Sequence, residues 1–187
     1  MWLRKASDFH KLLTSSRNSR QVFVLNHHCT GATCQNHYLI NNQMFVFTQQ
    51  PSIANHFLAE MRHVQVQTDS MRFRRNLERL GELMAYEISK TFAYQAAQVP
   101  TPLGTASTQL MAQPPVLATI LRAGLPLYHG FLNFFDNAES AFVGAYRGPH
   151  QADESFEIQL DYAVSPDLTG KTLILIDPML ATGQSIV

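Results

Sequence analysis

Leu173-Ile174-Leu175-Ile176-Asp177-Pro178-Met179-Leu180-Ala181-Thr182-Gly183-Gln184-Ser185 is the stretch on which the fold turns. Four apolar residues run without interruption, as in a strand buried on both faces of a parallel sheet. They lead into an acid and then into a small, hydroxyl- and glycine-containing turn suited to opening a helix. Unpaired backbone N–H groups at a helix start, helped by the helix dipole, form a ready anion site. Thr182 and Ser185 add hydroxyl donors, and Asp177 offers an acceptor that suits sugar hydroxyls. A phosphate monoester is the natural occupant. The plainer alternative, an Asp-Pro turn followed by a Thr-Gly helix start, stays open on these residues alone, because such turns are common.

Working toward the N-terminus, the chain reads as repeated strand and helix. Lys171 to Ile176 and Ala141 to Tyr146 are predicted strands. Val116 to Leu121 is a third, followed by a predicted helix from Gly124 to Phe135. This alternation implies an α/β fold with a mostly parallel sheet covered on both faces, and such sheets take ligands at the carboxyl ends of their strands. Arg122, Ala123 and Gly124 stand at one such end, where a guanidinium fork and a glycine suit phosphate oxygens approached by backbone. Pro100, Pro102 and Gly104 mark a loop or hairpin reaching to Pro114-Pro115.

Further upstream, Phe73, Leu77, Leu80, Met84, Ile88 and Phe92 form one apolar stripe at helical spacing, which predicts a long helix from Ser70 to about Phe92. Thr68 or Asp69 is its expected cap. Arg72, Arg74, Arg75 and Arg79 lie off the stripe and read first as a solvated face.

Composition sets the outer bounds. The 187 residues are 45% hydrophobic and 15% charged, enough for one domain with a real core. Fourteen basic and fourteen acidic side chains balance, which removes the electrostatic case for nucleic acid or an anionic membrane. No apolar run approaches the ~20 residues of a membrane span. Two cysteines make no disulfide scaffold, so a reducing cytoplasm is the expected compartment.

Residues 1–59 differ from the rest in holding Asp8 as their one acid. Arg4, Lys5, Lys11, Arg17 and Arg20 with four serines in the first twenty positions resemble a transit peptide, or else an unstructured extension ahead of a start at Met44. We therefore expect 1–43 to lie outside the domain as a disordered extension, and 44–187 to form it. His27, His28, Cys29, Cys34 and His37 are metal-ligating types, but they lack the two separated ligand pairs of a structural zinc site, and no metal site is assigned.

Several of these segments together resemble the type I phosphoribosyltransferases, and the uracil branch in particular. Asp177-Pro178-Met179-Leu180-Ala181-Thr182-Gly183, then Gln184 and Ser185, resembles the family's phosphoribosyl-pyrophosphate motif. The uracil branch has Asp-Pro where most relatives carry two acids. Ile120 to Leu125 is similar to its ILRAGL segment, whose backbone and arginine hold the donor's pyrophosphate. Val143-Gly144-Ala145-Tyr146-Arg147 is similar to VG-x-YR, whose arginine stands at the base of a mobile flap, here 148–157. Thr68, Arg72-Phe73-Arg74 and Tyr86-Glu87 resemble the family's amino-terminal helix. The likeness covers about 51–187.

The resemblance implies transfer of a phosphoribosyl group from 5-phosphoribosyl 1-pyrophosphate (PRPP) to uracil. The products would be uridine monophosphate and pyrophosphate, in pyrimidine salvage. Arg122, Arg147 and Asp177 would be catalytic, with Ala123, Gly124 and residues 178–185 on the donor, and magnesium carried mainly by the pyrophosphate. It also implies a homo-oligomer when full length, and GTP as an effector in some members. The family's uracil-binding segment, resembling PGLGDAGD, has no counterpart before Val187. The expectation is therefore a fold incomplete at its C-terminal end, with weak donor binding and no turnover by this fragment. Three alternatives accompany this reading: a non-catalytic or regulatory PRPP-binding protein, a phosphoribosyltransferase for another base, and a partial reading frame without a stable fold.

Overall fold

A computed structural model describes residues 22–30, 33–40, 43–46, 49–147 and 158–178, with side chains over 49–144 and 162–178. In chain order the elements are β1 (Val22–Thr30), β2 (Thr33–Ile40), β3 (Gln43–Val46), α1 (Ile53–Arg62) and α2 (Ser70–Ser89). Next come β4 (Tyr94–Thr101), β5 (Gly104–Met111), β6 (Val116–Leu121), α3 (Leu125–Leu132), β7 (Glu139–Arg147), β8 (Ile158–Val164) and β9 (Leu173–Ile176).

Among the described residues, seven strands form one sheet in the order β3-β2-β1-β9-β6-β7-β8. The four central strands β1, β9, β6 and β7 run parallel. β8 closes one side antiparallel to β7, and β2 and β3 extend the other side as antiparallel neighbours. This is the α/β class expected, with a parallel centre and antiparallel strands at both sides. β6 matches its predicted span, and the ends of α2, α3, β7 and β9 move by a few residues, as element ends commonly do. The segment after α2 is a hairpin, β4–β5, that forms its own two-stranded sheet.

The expectation of an unstructured extension over 1–43 did not foresee β1 and β2. Val22-Phe23-Val24 pairs with Leu173-Ile174-Leu175. A β-branched and aromatic run suits the pleated surface beside β9, and the polar residues after it concealed this in the composition.

Side chains alternate across the strands, and the two faces of the sheet bury different cores. On one face Leu117, Ile174 and Ile176 pack with Ala54 and Leu58 of α1, Leu80, Met84, Ala85 and Ile88 of α2, and Leu127, Tyr128 and Phe131 of α3. On the other, Val116, Ala118, Ala141, Leu173 and Leu175 close under Leu168 of the β8–β9 connection. Helices cover only the first of these faces among the described residues.

The long helix follows its predicted stripe, with Leu77, Leu80, Met84 and Ile88 buried. Asp69 caps it, its carboxylate accepting from the backbone N–H groups of Met71 and Arg72, each at 3.0 Å. Glycine governs how α2 meets α3. A Cβ at Gly81 would strike the carbonyl oxygen of Leu127 and stand 3.1 Å from the Cα of Gly130. One at Gly130 would meet Gly81 at 2.9 Å. The two backbones cross in near contact, which sets the distance between α2 and α3. No helix among the described residues is long and apolar enough to cross a membrane.

Candidate functional site

The parallel registers bring the loaded strand ends to one edge. Thr119 of β6 pairs with Ile176, the last residue of β9, and Leu121 pairs with Gly144 of β7. The chain leaves β6 through Arg122-Ala123-Gly124 and leaves β9 through Asp177-Pro178, so segments more than fifty residues apart in sequence emerge side by side. Arg147 ends β7, three residues past Gly144, or roughly 10 Å further along the same edge. Its side chain, the flap residues 148–157, and Met179, Leu180, Ala181, Thr182, Gly183, Gln184 and Ser185 lie outside the described residues.

The turn after β6 is tight. Gly124 N–H donates to the carbonyl of Ile120 and Leu125 N–H to that of Arg122, both at 3.3 Å. α3 then starts, with Tyr128 N–H donating to Gly124 at 2.9 Å. Gly124 is a helix N-cap without a side-chain cap, and Pro126 in the first turn carries no N–H. Space demands the glycine. A Cβ there would collide with the Thr119 hydroxyl, and would stand 3.0 Å from the carbonyl oxygen of Ile120 and 3.3 Å from that of Ile176. The Leu121–Arg122 peptide bond is cis.

Arg122 and Ala123 are exposed at the mouth of this crevice, while Asp177 is buried at 8% exposure and Pro178 half-buried. One cationic fork and one buried carboxylate therefore stand at neighbouring strand ends. That set suits a ligand carrying both anionic oxygens and hydroxyl groups. At Gly144 a Cβ would collide with the Tyr162 ring, and the β7–β8 register shifts between Gly144 and Ala145. The bulge lies just before Tyr146-Arg147, and a bulge beside a site commonly re-aims the next side chains of its strand.

Thr119 has no place in the motifs read from the sequence. It is fully buried, and its hydroxyl donates to the Ile176 carbonyl at 3.0 Å. A lone hydroxyl within the run Val-Leu-Ala-Thr-Ile-Leu was the available signal.

Three arginines of α2 are engaged elsewhere. Arg72 pairs with Glu60 of α1 at 3.2 Å, Arg75 with Glu78 at 2.7 Å, and Arg79 donates to Asn76 at 3.2 Å while lying over the Phe57 ring. Asn76 is fully buried and donates to Glu60 at 2.8 Å. That bond, followed by the Arg72 charge, holds the Glu60 carboxyl below the usual carboxylate range. The His27, His28, Cys29, Cys34 and His37 side chains lie outside the described residues.

With this geometry in hand, comparison with known proteins is specific. The family model described as uracil phosphoribosyltransferase matches residues 47–187. The chain is similar to the uracil phosphoribosyltransferase of Porphyromonas gingivalis, with 56% identity over 135 residues, covering 72% of this chain and 62% of that one. It is 39% identical over 121 residues to the enzyme of that name from Methanothermobacter thermautotrophicus, covering 64% and 55% of the two chains. With that of Pyrococcus furiosus the identity is 35% over 147 residues, covering 77% and 61%. Among solved structures, the AQ2163 protein from Aquifex aeolicus superposes with a TM-score of 0.62 at 29% identity, over 73% of this chain and 64% of that one. The chain thus spans about three fifths of the length of the curated relatives it matches.

Proposed function

Since the chain belongs to the uracil phosphoribosyltransferase family, we propose that it binds PRPP at the strand ends of β6, β7 and β9 for transfer of the phosphoribosyl group to uracil. One observation carries the reading: β6 and β9 are parallel neighbours, so Arg122-Ala123-Gly124 and Asp177-Pro178 open into one crevice. The donor has an anionic group at each end of a ribose. In this reading its pyrophosphate lies on the Arg122 loop, and its ribose hydroxyls face Asp177. The 5-phosphate then falls to the turn running on through Thr182 and Ser185.

As the bond at the anomeric carbon breaks, the ribose takes on oxocarbenium character and negative charge grows on the departing pyrophosphate. Arg122 and Arg147 stabilise that charge, and holding both ends of the donor orients the anomeric carbon for attack by the base. Magnesium fits as a companion of the donor. Asp177 offers one carboxylate here, and this hard cation draws the rest of its oxygen shell from substrate phosphates and water. When bound, it supplies positive charge to the leaving group. Homo-oligomerisation is part of the same reading, supported by exposed Tyr94, Leu103 and Leu110 on a hairpin that stands apart from the main sheet.

Titration calorimetry with PRPP and magnesium tests the proposal. The expected result is saturable binding tighter than about 1 mM, competed by pyrophosphate and by ribose 5-phosphate. Absence of binding, or competition by neither half of the donor, would overturn it.

A further inference from the structure

Thr119 occupies a position that its neighbours make apolar. It follows Leu117 on the helix-covered face of β6, between Phe142 of β7 and Ile176 of β9 in register. A buried hydroxyl in such a stripe costs free energy unless it is satisfied, and this one is satisfied in one particular way. It donates to the carbonyl of Ile176, the residue immediately before Asp177. The same oxygen lies directly beneath Gly124, where a Cβ would collide with it. One buried atom thus touches the floor of both loops: the turn after β6 by packing, and the turn after β9 by a hydrogen bond.

We propose that Thr119 is a positioning residue that sets the spacing between the Arg122-Gly124 loop and the turn beginning at Asp177. This rests on the donor-binding reading above. Thr119 reaches no ligand itself, being fully buried. It acts by holding the Ile176 carbonyl and the Gly124 backbone at a fixed separation. A ligand that spans both loops depends on that separation, whereas a ligand that occupies one loop does not.

The experiment compares three probes, PRPP, pyrophosphate and ribose 5-phosphate, by calorimetry on the wild-type chain, Thr119→Val and Thr119→Ser. Thr119→Val keeps the shape and leaves the Ile176 carbonyl without its donor. It is expected to weaken PRPP about tenfold, the effect of one lost buried hydrogen bond. Pyrophosphate and ribose 5-phosphate separately stay within about twofold. Thr119→Ser retains the hydroxyl and binds PRPP like the wild type. Should Thr119→Val show no cooperative melting, Thr119→Ala, which adds no atoms to the crevice floor, carries the same expectation. Unchanged PRPP affinity in the hydroxyl-free variants would overturn the proposal. So would equal weakening of all three probes, the mark of a general loss of structure. A wild-type chain that binds none of them overturns the donor-binding reading first, and this inference with it.

Discussion

At the scale of single residues, Arg122 and Gly124 separate binding from folding. Gly124 is held by space, with the Thr119 hydroxyl and two carbonyl oxygens where a side chain would begin. It is therefore part of the fold as much as of the crevice. Arg122 is exposed, and its removal takes little from the core. Arg122→Ala should leave urea-unfolding stability within about 0.5 kcal/mol of wild type. Donor affinity should fall at least about tenfold, because a charge-assisted hydrogen bond contributes roughly 1.5–3 kcal/mol. Arg122→Lys should recover only part of that loss, since an ammonium lacks the planar fork. An Arg122→Ala chain that binds PRPP normally would remove the arginine from the site.

At the scale of elements, the crossing of α2 and α3 couples a distant helix to the crevice, because α3 begins one residue after the Gly124 turn closes. Alanine is a better helix former than glycine by about 1 kcal/mol, so intrinsic propensity favours Gly81→Ala. The crossing opposes it, since the new methyl would meet the Leu127 carbonyl and Gly130. Overpacking of this kind costs typically about 1–3 kcal/mol. Gly81→Ala should therefore lower the melting temperature despite the propensity gain, and a raised value would show that the helices can separate freely.

The α1–α2 bridge gives a pH signature at the same scale. Glu60 is held below its ordinary pKa by Asn76 and then Arg72. A depressed carboxylate adds stability that is present above the unfolded value and is lost as pH falls through the folded one. Wild type should accordingly be more stable than Glu60→Gln near neutral pH, with the difference shrinking below pH about 4.5 in thermal melts. A pH-independent difference would mean that the Glu60 charge contributes nothing.

For the molecule as a whole, one core joins all three described helices to the central strands. Phe131 sits fully buried within it, together with Leu58, Ile88, Leu117 and Ile174. Truncation to alanine should cost about 3–5 kcal/mol in urea unfolding. Because the helical layer and the strands share this cluster, far-ultraviolet and aromatic signals should be lost in one transition. Two separated transitions would mean that the layers fold independently.

Local chemistry already determined a good part of this protein. The apolar stripe of α2 with its Asp69 cap, the full run of β6 and the apolar run of β9 into Asp177 each depend on neighbours a few residues away. Periodicity and capping record such neighbours in the sequence. Helix α1, Ile53–Arg62, and strand β8, Ile158–Val164, were not foreseen from those patterns. Nor was the insertion of β9 between β1 and β6, an adjacency that no local pattern encodes. The Gly81–Gly130 crossing and the Thr119 bond to Ile176, which spans 57 residues, likewise came only from the tertiary structure. A hydroxyl in an apolar run and a glycine in a helix look like small local penalties until the chain closes and shows what each lies against.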